Sequence, residues 1–319
     1  MTPTRTTTTA TDLATNAGIC DGRVVIVTGA GRGLGRAHAL AFAAEGAQIV
    51  VNDLGSELDG TPTPGSPAAE VAAEISDAGG AAVVNGDDVS TWDGAQRLVT
   101  TALESFGRLD VLVNNAGIVR DRMLVSTSEE EFDAVIAVHL KGHFATARHS
   151  AAHWRQESKA GRQPDARIIN TSSGAGLMGS VGQANYSAAK AGIVGLTLVQ
   201  AAELARYGVT ANALAPAART RMTEQVFAAT MAAPRYADDF DAMAPENVSP
   251  LVVWLGSSQS AGVTGRVFEV EAGRISVADG FQHGPEIDKG ARWEPAELGP
   301  VVAELLAAAP PPAPVYGAG

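Results

Sequence analysis

A tyrosine and a lysine stand four positions apart in the segment GQANYSAAKAG, which is otherwise rich in small residues. On a helix, positions i and i+4 lie on one face, so Tyr186 and Lys190 can share a site. A free tyrosine has a pKa of about 10, and a nearby ammonium lowers it by stabilising the phenolate. Such a pair alone is more often a surface feature. Beside a nucleotide site, it predicts a phenol that exchanges a proton with a substrate hydroxyl.

A glycine-rich turn, TGAGRGLG, joins the first predicted strand to the helix after it. Glycine permits a tight turn and close approach of the backbone to a pyrophosphate, and the helix N-terminus adds N–H groups and partial positive charge. A lone turn of this kind is weak evidence, but the flanking strand and helix predict a dinucleotide site. The cofactor contacts expected here are Gly29, Arg32, Gly33, Leu34 and Gly35.

Asp53 ends the second predicted strand, about 20 residues after the glycine turn. A carboxylate there accepts hydrogen bonds from the adenine ribose and repels a 2′-phosphate, which favours NAD over NADP. Arg32 argues the other way, because its guanidinium can pair with that phosphate. A plain solvated strand end is the alternative interpretation of Asp53. We give Asp53 more weight and predict NAD.

Other predicted strand ends supply further candidates. The segment GDDVS places Asp88 and Val89 near an adenine, and the segment NNAG ends the fourth strand. From NNAG we expect Asn115, Ala116 and Gly117 to contact the cofactor, although its two asparagines can equally tie neighbouring strands together. Parallel sheets bind ligands at the carboxyl ends of their strands, so these segments should meet at one edge.

Strand and helix patterns alternate from Val24 onward, which is typical of a parallel sheet covered on both faces. The predicted fold is a single α/β domain with a Rossmann-type doubly wound parallel sheet. We expect this domain over residues 21–280, an extension packed on it over 281–307, a disordered N-terminal tail over 1–20 and an unpacked Pro-rich tail over 308–319.

Composition excludes several classes of function. A net charge of −12 argues against nucleic-acid binding. No apolar run approaches the roughly 20 residues of a membrane span, and the first residues lack a signal core, so a cytoplasmic protein is expected. Cys20 is the only cysteine, which leaves no disulfide framework. We expect no metal site, because no matching cluster accompanies the histidines.

The motifs TGAGRGLG, NNAG and a serine followed by YSAAK resemble the short-chain dehydrogenase/reductase family. The segment RIINTSS ends in two serines, and the family's spacing of thirteen positions before Tyr186 selects Ser173 over Ser172. The resemblance implies that Ser173 holds the substrate oxygen and that Lys190, with Tyr186, also contacts the nicotinamide ribose. Thr220 is expected to contact the carboxamide, although the family's usual Pro-Gly before it is replaced here.

His139 stands where many family members carry asparagine. An imidazole can still bond a water and a backbone carbonyl, so a proton relay through His139 is possible. A packed helix residue is the alternative. The other four helical histidines are expected to be core or surface residues: His38, His143, His149 and His153.

The segments VVNDLG, NNAGIVRDRML, VHLKG and NALAPAARTRMT are similar to the (3R)-hydroxyacyl-CoA dehydrogenase units of peroxisomal multifunctional enzymes type 2. That similarity implies NAD-dependent oxidation of 3-hydroxyacyl-CoA thioesters by a homodimer or homotetramer that pairs through two long helices. Leu177 and Met178 are expected to line the substrate pocket. A basic mouth for the CoA phosphates would come from Arg120, Arg122, Arg219 and Arg221.

Other activities stay open from the sequence. The small apolar wall near Met178 also suits a steroid, so a 17β-hydroxysteroid dehydrogenase is the close alternative. A 3-oxoacyl-carrier-protein reductase is disfavoured by Asp53, because reductive biosynthesis usually runs on NADPH. A non-catalytic NAD-binding regulator predicts a missing Ser, Tyr or Lys, and all three are present.

Overall fold

The computed structural model describes residues 18–55, 65–220, 239–278 and 280–317. Most of the predicted N-terminal tail therefore lies outside the described residues. Residues 18–20 of that predicted tail belong to the folded domain, because Cys20 is fully buried and its backbone N–H donates to the carbonyl of Glu45. The domain thus begins earlier than the sequence indicated.

Eight β-strands carry the fold. They are β1 (Val24–Thr28), β2 (Gln48–Asn52), β3 (Ala81–Asn85), β4 (Val111–Asn114), β5 (Ala166–Thr171), β6 (Val209–Ala217), β7 (Val267–Glu271) and β8 (Arg274–Val277). They form one sheet in the order β3-β2-β1-β4-β5-β6-β7-β8. Every neighbouring pair is parallel except β7 with β8. The predicted doubly wound parallel sheet is confirmed.

Strand β8 is absent from the sequence interpretation. It follows β7 through a two-residue turn in which Ala272 has a φ of +53°. All four of its residues are exposed. They alternate between polar and apolar types, but four residues is the shortest run over which such alternation indicates a strand.

Nine α-helices accompany the strands in the described residues. They are α1 (Gly33–Ala44), α2 (Pro67–Asp77), α3 (Trp92–Phe106), α4 (Glu129–Ile136), α5 (Gly142–Lys159), α6 (Gly174–Met178), α7 (Ala184–Leu204), α8 (Ser249–Gly256) and α9 (Leu298–Ala308). One core cluster packs α1, α2 and α8 on one face of the sheet. The other cluster packs α3, α5 and α7 on the opposite face.

The predicted long helix around residues 130–156 is built in three parts. A π-helical turn, Ala137–Lys141, separates α4 from α5. Single π-helical turns of this kind frequently lie at functional sites. Here the turn carries His139, which is fully buried.

The C-terminal segment departs from the expected unpacked tail. Helix α9 has no buried residue, but the chain beyond it returns to the domain. The backbone N–H of Tyr316 donates to Gly179 and its carbonyl accepts from Val181, which makes an isolated parallel bridge. The last described residues therefore lie on the segment that follows α6.

Helix α7 with the 3₁₀ turn after it, Ala184–Tyr207, is long and apolar enough to satisfy a length-and-composition criterion for a membrane span. Buried core helices satisfy the same criterion. This helix carries the buried polar residues Lys190, Thr197 and Gln200, all of which bond to β5. Its polar contacts are those of a helix packed against a sheet.

Buried side-chain amides pin β4, β5 and α7 together. The Asn114 amide donates to the side-chain oxygen of Asn170 at 3.0 Å. The Asn170 amide in turn donates to the Thr197 hydroxyl at 2.9 Å and to the Gln200 side-chain oxygen at 2.8 Å. These bonds fix the helix that carries Tyr186 against the strand that leads to Ser173.

Replacing Asn170 by leucine, which has a similar volume, should lower the free energy of unfolding by at least about 2 kcal/mol, because several buried partners lose their hydrogen bonds. Urea unfolding followed by circular dichroism measures the change. The exposed substitution Gln96→Leu on α3 is the control and should shift stability by less than about 0.5 kcal/mol. Equal effects of the two substitutions would contradict the role given to the amides.

Candidate active site

A cavity opens where the chain order of the sheet reverses, between the carboxyl ends of β1 and β4. Such a reversal is where doubly wound sheets bind nucleotides. The turn after β1 approaches the end of β4 so closely that a Cβ on Gly29 would lie 2.9 Å from the Cα of Ala116. Gly29 and Gly33 also have positive φ values of +63° and +52°. The glycines thus allow a backbone path that other residues would strain.

Most of the predicted cofactor residues line this cavity. They are Gly29, Arg32, Gly33, Leu34, Asp53, Asp88, Val89, Asn115, Ala116, Gly117 and Thr220. Three of the predicted cofactor residues are not in the lining: Gly35, Tyr186 and Lys190. A Cβ on Gly35 would lie 2.1 Å from the carbonyl oxygen of Gly29. Gly35 therefore serves the packing of α1 on the turn. The sequence interpretation missed five lining residues: Asn52, Leu54, Asp87, Ile118 and Val138.

The Asp53 carboxylate is tied to the backbone on both oxygens. Its Oδ2 accepts from the N–H of Gly31 at 2.9 Å, and its Oδ1 accepts from the N–H of Gly55 at 2.8 Å. Each carboxylate oxygen can accept a second hydrogen bond. The side chain is thus held at the cavity with acceptor capacity left for ribose hydroxyls.

The two asparagines of NNAG have structural partners. The Asn115 amide donates to the carbonyls of Thr28 and Gly29, which ties the end of β4 to the turn after β1. Asn114 is buried and bonds Asn170 and Thr146. Asn115 also lines the cavity, so its structural bonds are compatible with the predicted cofactor contact, whereas Asn114 is part of the core.

Ser173 and Tyr186 meet at the neighbouring end of β5. Ser173 caps α6, and its hydroxyl accepts from the N–H of Ala175 at 3.2 Å. Hydrogen bonding from Ser173 acts to lower the pKa of the Tyr186 phenol, which places the two hydroxyls close together. The adjacent Ser172 turns away, and its hydroxyl donates to the carbonyl of Lys190. The structure thus brings Ser173, and not Ser172, to the tyrosine.

Lys190 lies beside the same phenol. Its Nζ donates to the carbonyl of Thr171 at 2.6 Å and lies 5.5 Å from the centroid of the Tyr186 ring. Burial lowers the pKa of Lys190 to about 7. Burial also raises the pKa of Tyr186, against the lowering effect of the Ser173 bond. In the protein alone, burial therefore outweighs the lowering of the Tyr186 pKa that we expected from Lys190.

His139 packs edge-on against the tyrosine. The two ring centroids are 5.2 Å apart and the rings are nearly perpendicular. The Nε2 atom of His139 lies 2.7 Å from the carbonyl oxygen of Ile118. A Cβ on Gly117 would lie 2.4 Å from the His139 ring, so glycine is needed at the cavity wall for this close contact.

Of the remaining histidines, His38, His143 and His149 are buried. His38 is buried and bonds the Ser249 hydroxyl at 2.9 Å, and burial lowers its pKa to about 3. His149 and His153 lie on α5. In the described parts of the chain, no group of three or more His, Cys, Asp or Glu residues is placed to hold a metal ion.

Helix α6 and the C-terminal segment form a wall next to Ser173. Leu177 and Met178 lie on this short helix, and Met178 is 38% exposed. The Tyr316 ring covers the start of α6, because a Cβ on Gly174 would lie 3.0 Å from its hydroxyl oxygen. Sequence reasoning missed Tyr316, since nothing near it in the chain indicates where its segment returns.

The expected basic mouth is partly neutralised. Arg122 pairs with Glu131 at 3.2 Å, and Arg219 pairs with Asp241. Arg221 lies outside the described residues. Near the same mouth, the Gln183 amide donates to both oxygens of Asp121. Burial raises the pKa of Asp121. The loop after β4 is thereby joined to the segment that precedes α7.

Comparisons with known proteins agree with this geometry. The family described as short chain dehydrogenase matches residues 23–230. Hydroxyacyl-CoA dehydrogenase ChsB1 of Mycobacterium tuberculosis is 45% identical over 312 residues, which cover 96% of this chain and 93% of that protein. Peroxisomal multifunctional enzyme type 2 of Mus musculus is 47% identical over 255 residues, or 80% of this chain. This chain spans 32% of the length of that mouse enzyme.

A solved structure gives the same result in three dimensions. The crystal structure of a short chain dehydrogenase from Mycobacterium avium has a TM-score of 0.85 and 68% sequence identity, and the match covers 94% of this chain and all of that one. The predicted family resemblance is therefore confirmed. The chain belongs to the short-chain dehydrogenase/reductase family and is an oxidoreductase that acts on CH–OH groups.

Proposed function

We propose that this protein oxidises the hydroxyl of a (3R)-3-hydroxyacyl-CoA thioester to a ketone with NAD, in β-oxidation or in sterol side-chain degradation. The observation that carries the proposal is that Ser173, Tyr186 and Lys190 lie together next to the cavity. The His139 ring, which packs on Tyr186, separates them from Gly117 in the cavity lining. The name of the M. tuberculosis relative supports the thioester, because its match extends over almost the whole of both chains.

The chain's own residues divide the proton chemistry between them. The Ser173 hydroxyl holds the substrate oxygen, and the Tyr186 oxygen takes the proton of the substrate hydroxyl; reduction reverses the transfer. The charged form of Lys190, whose Nζ lies over one face of the Tyr186 ring, stabilises the phenolate. A bound oxidised nicotinamide would supply the hydride acceptor and a positive charge. The protein supplies the proton acceptor, and the charge of Lys190 favours the deprotonated form of Tyr186 that can accept the proton.

NAD is the proposed cofactor because of Asp53. The lining of the cavity suits a dinucleotide, and Asp53 is held there by the N–H groups of Gly31 and Gly55. A fixed carboxylate accepts from ribose hydroxyls and repels an added phosphate. The same feature disfavours an acyl-carrier-protein reductase that depends on NADPH.

The proposed acyl pocket lies against α6. Leu177 and Met178 give an apolar surface one helical turn beyond Ser173, and Tyr316 closes its outer side. A steroid ring system is also apolar, so a 17β-hydroxysteroid is the second candidate substrate. We also propose a homodimer or homotetramer through α5 and α7, where Phe144, Leu198 and Val199 are about half exposed.

Substitution of Tyr186 by phenylalanine should lower kcat by at least about 100-fold, because the proton acceptor is lost while the ring and its packing remain. The NAD dissociation constant, measured by fluorescence titration, should change by less than about threefold. The matched control is Tyr207→Phe, in the 3₁₀ turn that follows α7. Turnover that survives Tyr186→Phe would contradict the assignment of the proton acceptor.

A panel of alcohols tests the substrate. NADH formation is measured with 3-hydroxyacyl-CoA esters of both configurations and several lengths, and with 17β-hydroxysteroids. We expect the highest kcat/KM for a (3R)-ester. Turnover of the steroid alone would reject the thioester, and preference for the (3S)-ester would reject the proposed stereochemistry.

The exchange Asp53→Asn keeps a hydrogen-bond acceptor for the turn but removes the negative charge. It should raise the affinity for NADP relative to NAD by about tenfold, because one repulsive charge opposite the 2′-phosphate is gone. Fluorescence titration with both dinucleotides gives the ratio, with exposed Asp77→Asn on α2 as control. Tighter binding of NADP than of NAD by the unaltered protein would overturn the choice of NAD.

A further inference from the structure

The last described residues of the chain form a short strap beside α6, and we call residues 315–317 the C-terminal strap. The N–H of Tyr316 donates to the carbonyl of Gly179 at 3.2 Å, and the carbonyl of Tyr316 accepts from the N–H of Val181 at 2.9 Å. Both bonds belong to the backbone, so they hold the strap whichever side chain stands at position 316. The Tyr316 side chain is therefore free to serve another purpose.

The Tyr316 ring reaches the residue that follows Ser173. A Cβ on Gly174 would lie 3.0 Å from the Tyr316 hydroxyl oxygen and 3.1 Å from its Cε2 atom. Since neighbouring Cα atoms are about 3.8 Å apart, the hydroxyl oxygen lies within about 8 Å of the Cα of Ser173. An extended chain advances about 3.5 Å for every three bonds, so a substituent of about seven carbons on the reacting carbon is long enough to reach the ring.

Four apolar or aromatic side chains at this rim of the site are partly open to solvent. They are Met178, Val181, Val315 and Tyr316, each between 38% and 47% exposed. The strap packs closely on the segment after α6, because a Cβ on Gly179 would lie 3.4 Å from Cγ1 of Val315. Covering apolar surface that is open to water is favourable. The rim therefore suits the apolar part of a substrate and not the phosphates of CoA.

We propose that Tyr316 is a specificity-determining residue whose ring covers the far part of an acyl chain or ring system bound beside α6. The protein then favours substrates that are long enough to reach the ring. This inference rests on the proposed function, because it concerns the apolar part of the same substrate. A ring that is already held in place loses little conformational freedom when the substrate binds.

The size of the effect follows from the area that the substrate covers. Covering the open half of one aromatic side chain changes affinity by about tenfold. The ring lies away from the reacting carbon, so the contact is as strong in the bound substrate as in the transition state. Loss of such uniform binding raises KM and leaves kcat unchanged. A disturbance of Ser173 would instead lower kcat for every substrate.

The test compares Tyr316→Ala with Tyr316→Phe in the full-length protein, using the (3R)-3-hydroxybutanoyl and (3R)-3-hydroxydodecanoyl esters of CoA. Alanine removes the ring and keeps the backbone bonds, so KM for the dodecanoyl ester should rise about tenfold while kcat stays within about twofold. The butanoyl ester is too short to reach the ring, so its KM should change by less than about twofold. Phenylalanine keeps the apolar contact and should leave both esters unaffected.

The matched control is Phe281→Ala. It removes a fully exposed aromatic ring from the same C-terminal region and should change KM for neither ester. An unchanged KM for the dodecanoyl ester in Tyr316→Ala would overturn the proposal. So would an equal loss with both esters, since the ring would then support Ser173 or the fold. A lower KM for the long ester would show that the ring obstructs the chain, and a loss in Tyr316→Phe would assign the effect to the hydroxyl.

Binding of dodecanoyl-CoA provides a readout that needs no turnover, because this thioester lacks the 3-hydroxyl group. Isothermal titration calorimetry should give a dissociation constant about tenfold higher for Tyr316→Ala than for the unaltered protein. The dissociation constant of CoA itself should be the same for both. Equal binding of dodecanoyl-CoA by the two proteins would contradict the contact.

Failure of the substrate proposal stays distinct from failure of this inference. If the unaltered protein oxidises 17β-hydroxysteroids and no thioester, the thioester is rejected, and the same variants are compared with a 17β-hydroxysteroid and with isopropanol. The contact then predicts a higher KM in Tyr316→Ala for the steroid alone. Equal changes in KM for the two alcohols would overturn the role of Tyr316.

Discussion

The burial of one lysine ammonium is the constraint on which the site depends. Two hydrogen bonds join Lys190 to the end of β5 and to the residue after it. Its Nζ donates to the carbonyl of Thr171, and its backbone carbonyl accepts from the Ser172 hydroxyl. Burial lowers its pKa to about 7, so small changes in its surroundings decide whether it is charged at neutral pH. The same two bonds fix the start of α7, and with it the Tyr186 phenol.

Close backbone approach makes this arrangement possible. A Cβ on Gly176 would lie 2.6 Å from the backbone of Lys190, and a Cβ on Gly117 would lie 2.4 Å from His139. The abundant glycine and alanine residues of this chain therefore allow segments to pack closely at the carboxyl edge of the sheet. Neutral amides such as Asn115 and Asn170 then hold the strand ends in register without adding charge to the site.

On the side of the site next to α6, contacts join residues that are far apart in the chain. Asp121 and Gln183 join the loop after β4 to the segment before α7, and Tyr316 returns from the C-terminal region to cover the start of α6. These contacts join segments that are far apart in the chain, namely the loop after β4 with the segment before α7, and the C-terminal region with α6.

The sequence by itself determined the fold class and the reactive groups. Local signals carry both, because the period of apolar residues indicates strands and helices, and the glycine turn, Asp53 and the Tyr186–Lys190 spacing lie within short segments. Only the tertiary structure decided the partners of buried polar groups, the separation of α4 from α5 by a π-helical turn, the edge strand β8 and the place of Tyr316. Burial also reversed the expected shift of the Tyr186 pKa. The physical reason is that desolvation and hydrogen bonding depend on residues brought together from distant parts of the chain, which no local pattern encodes.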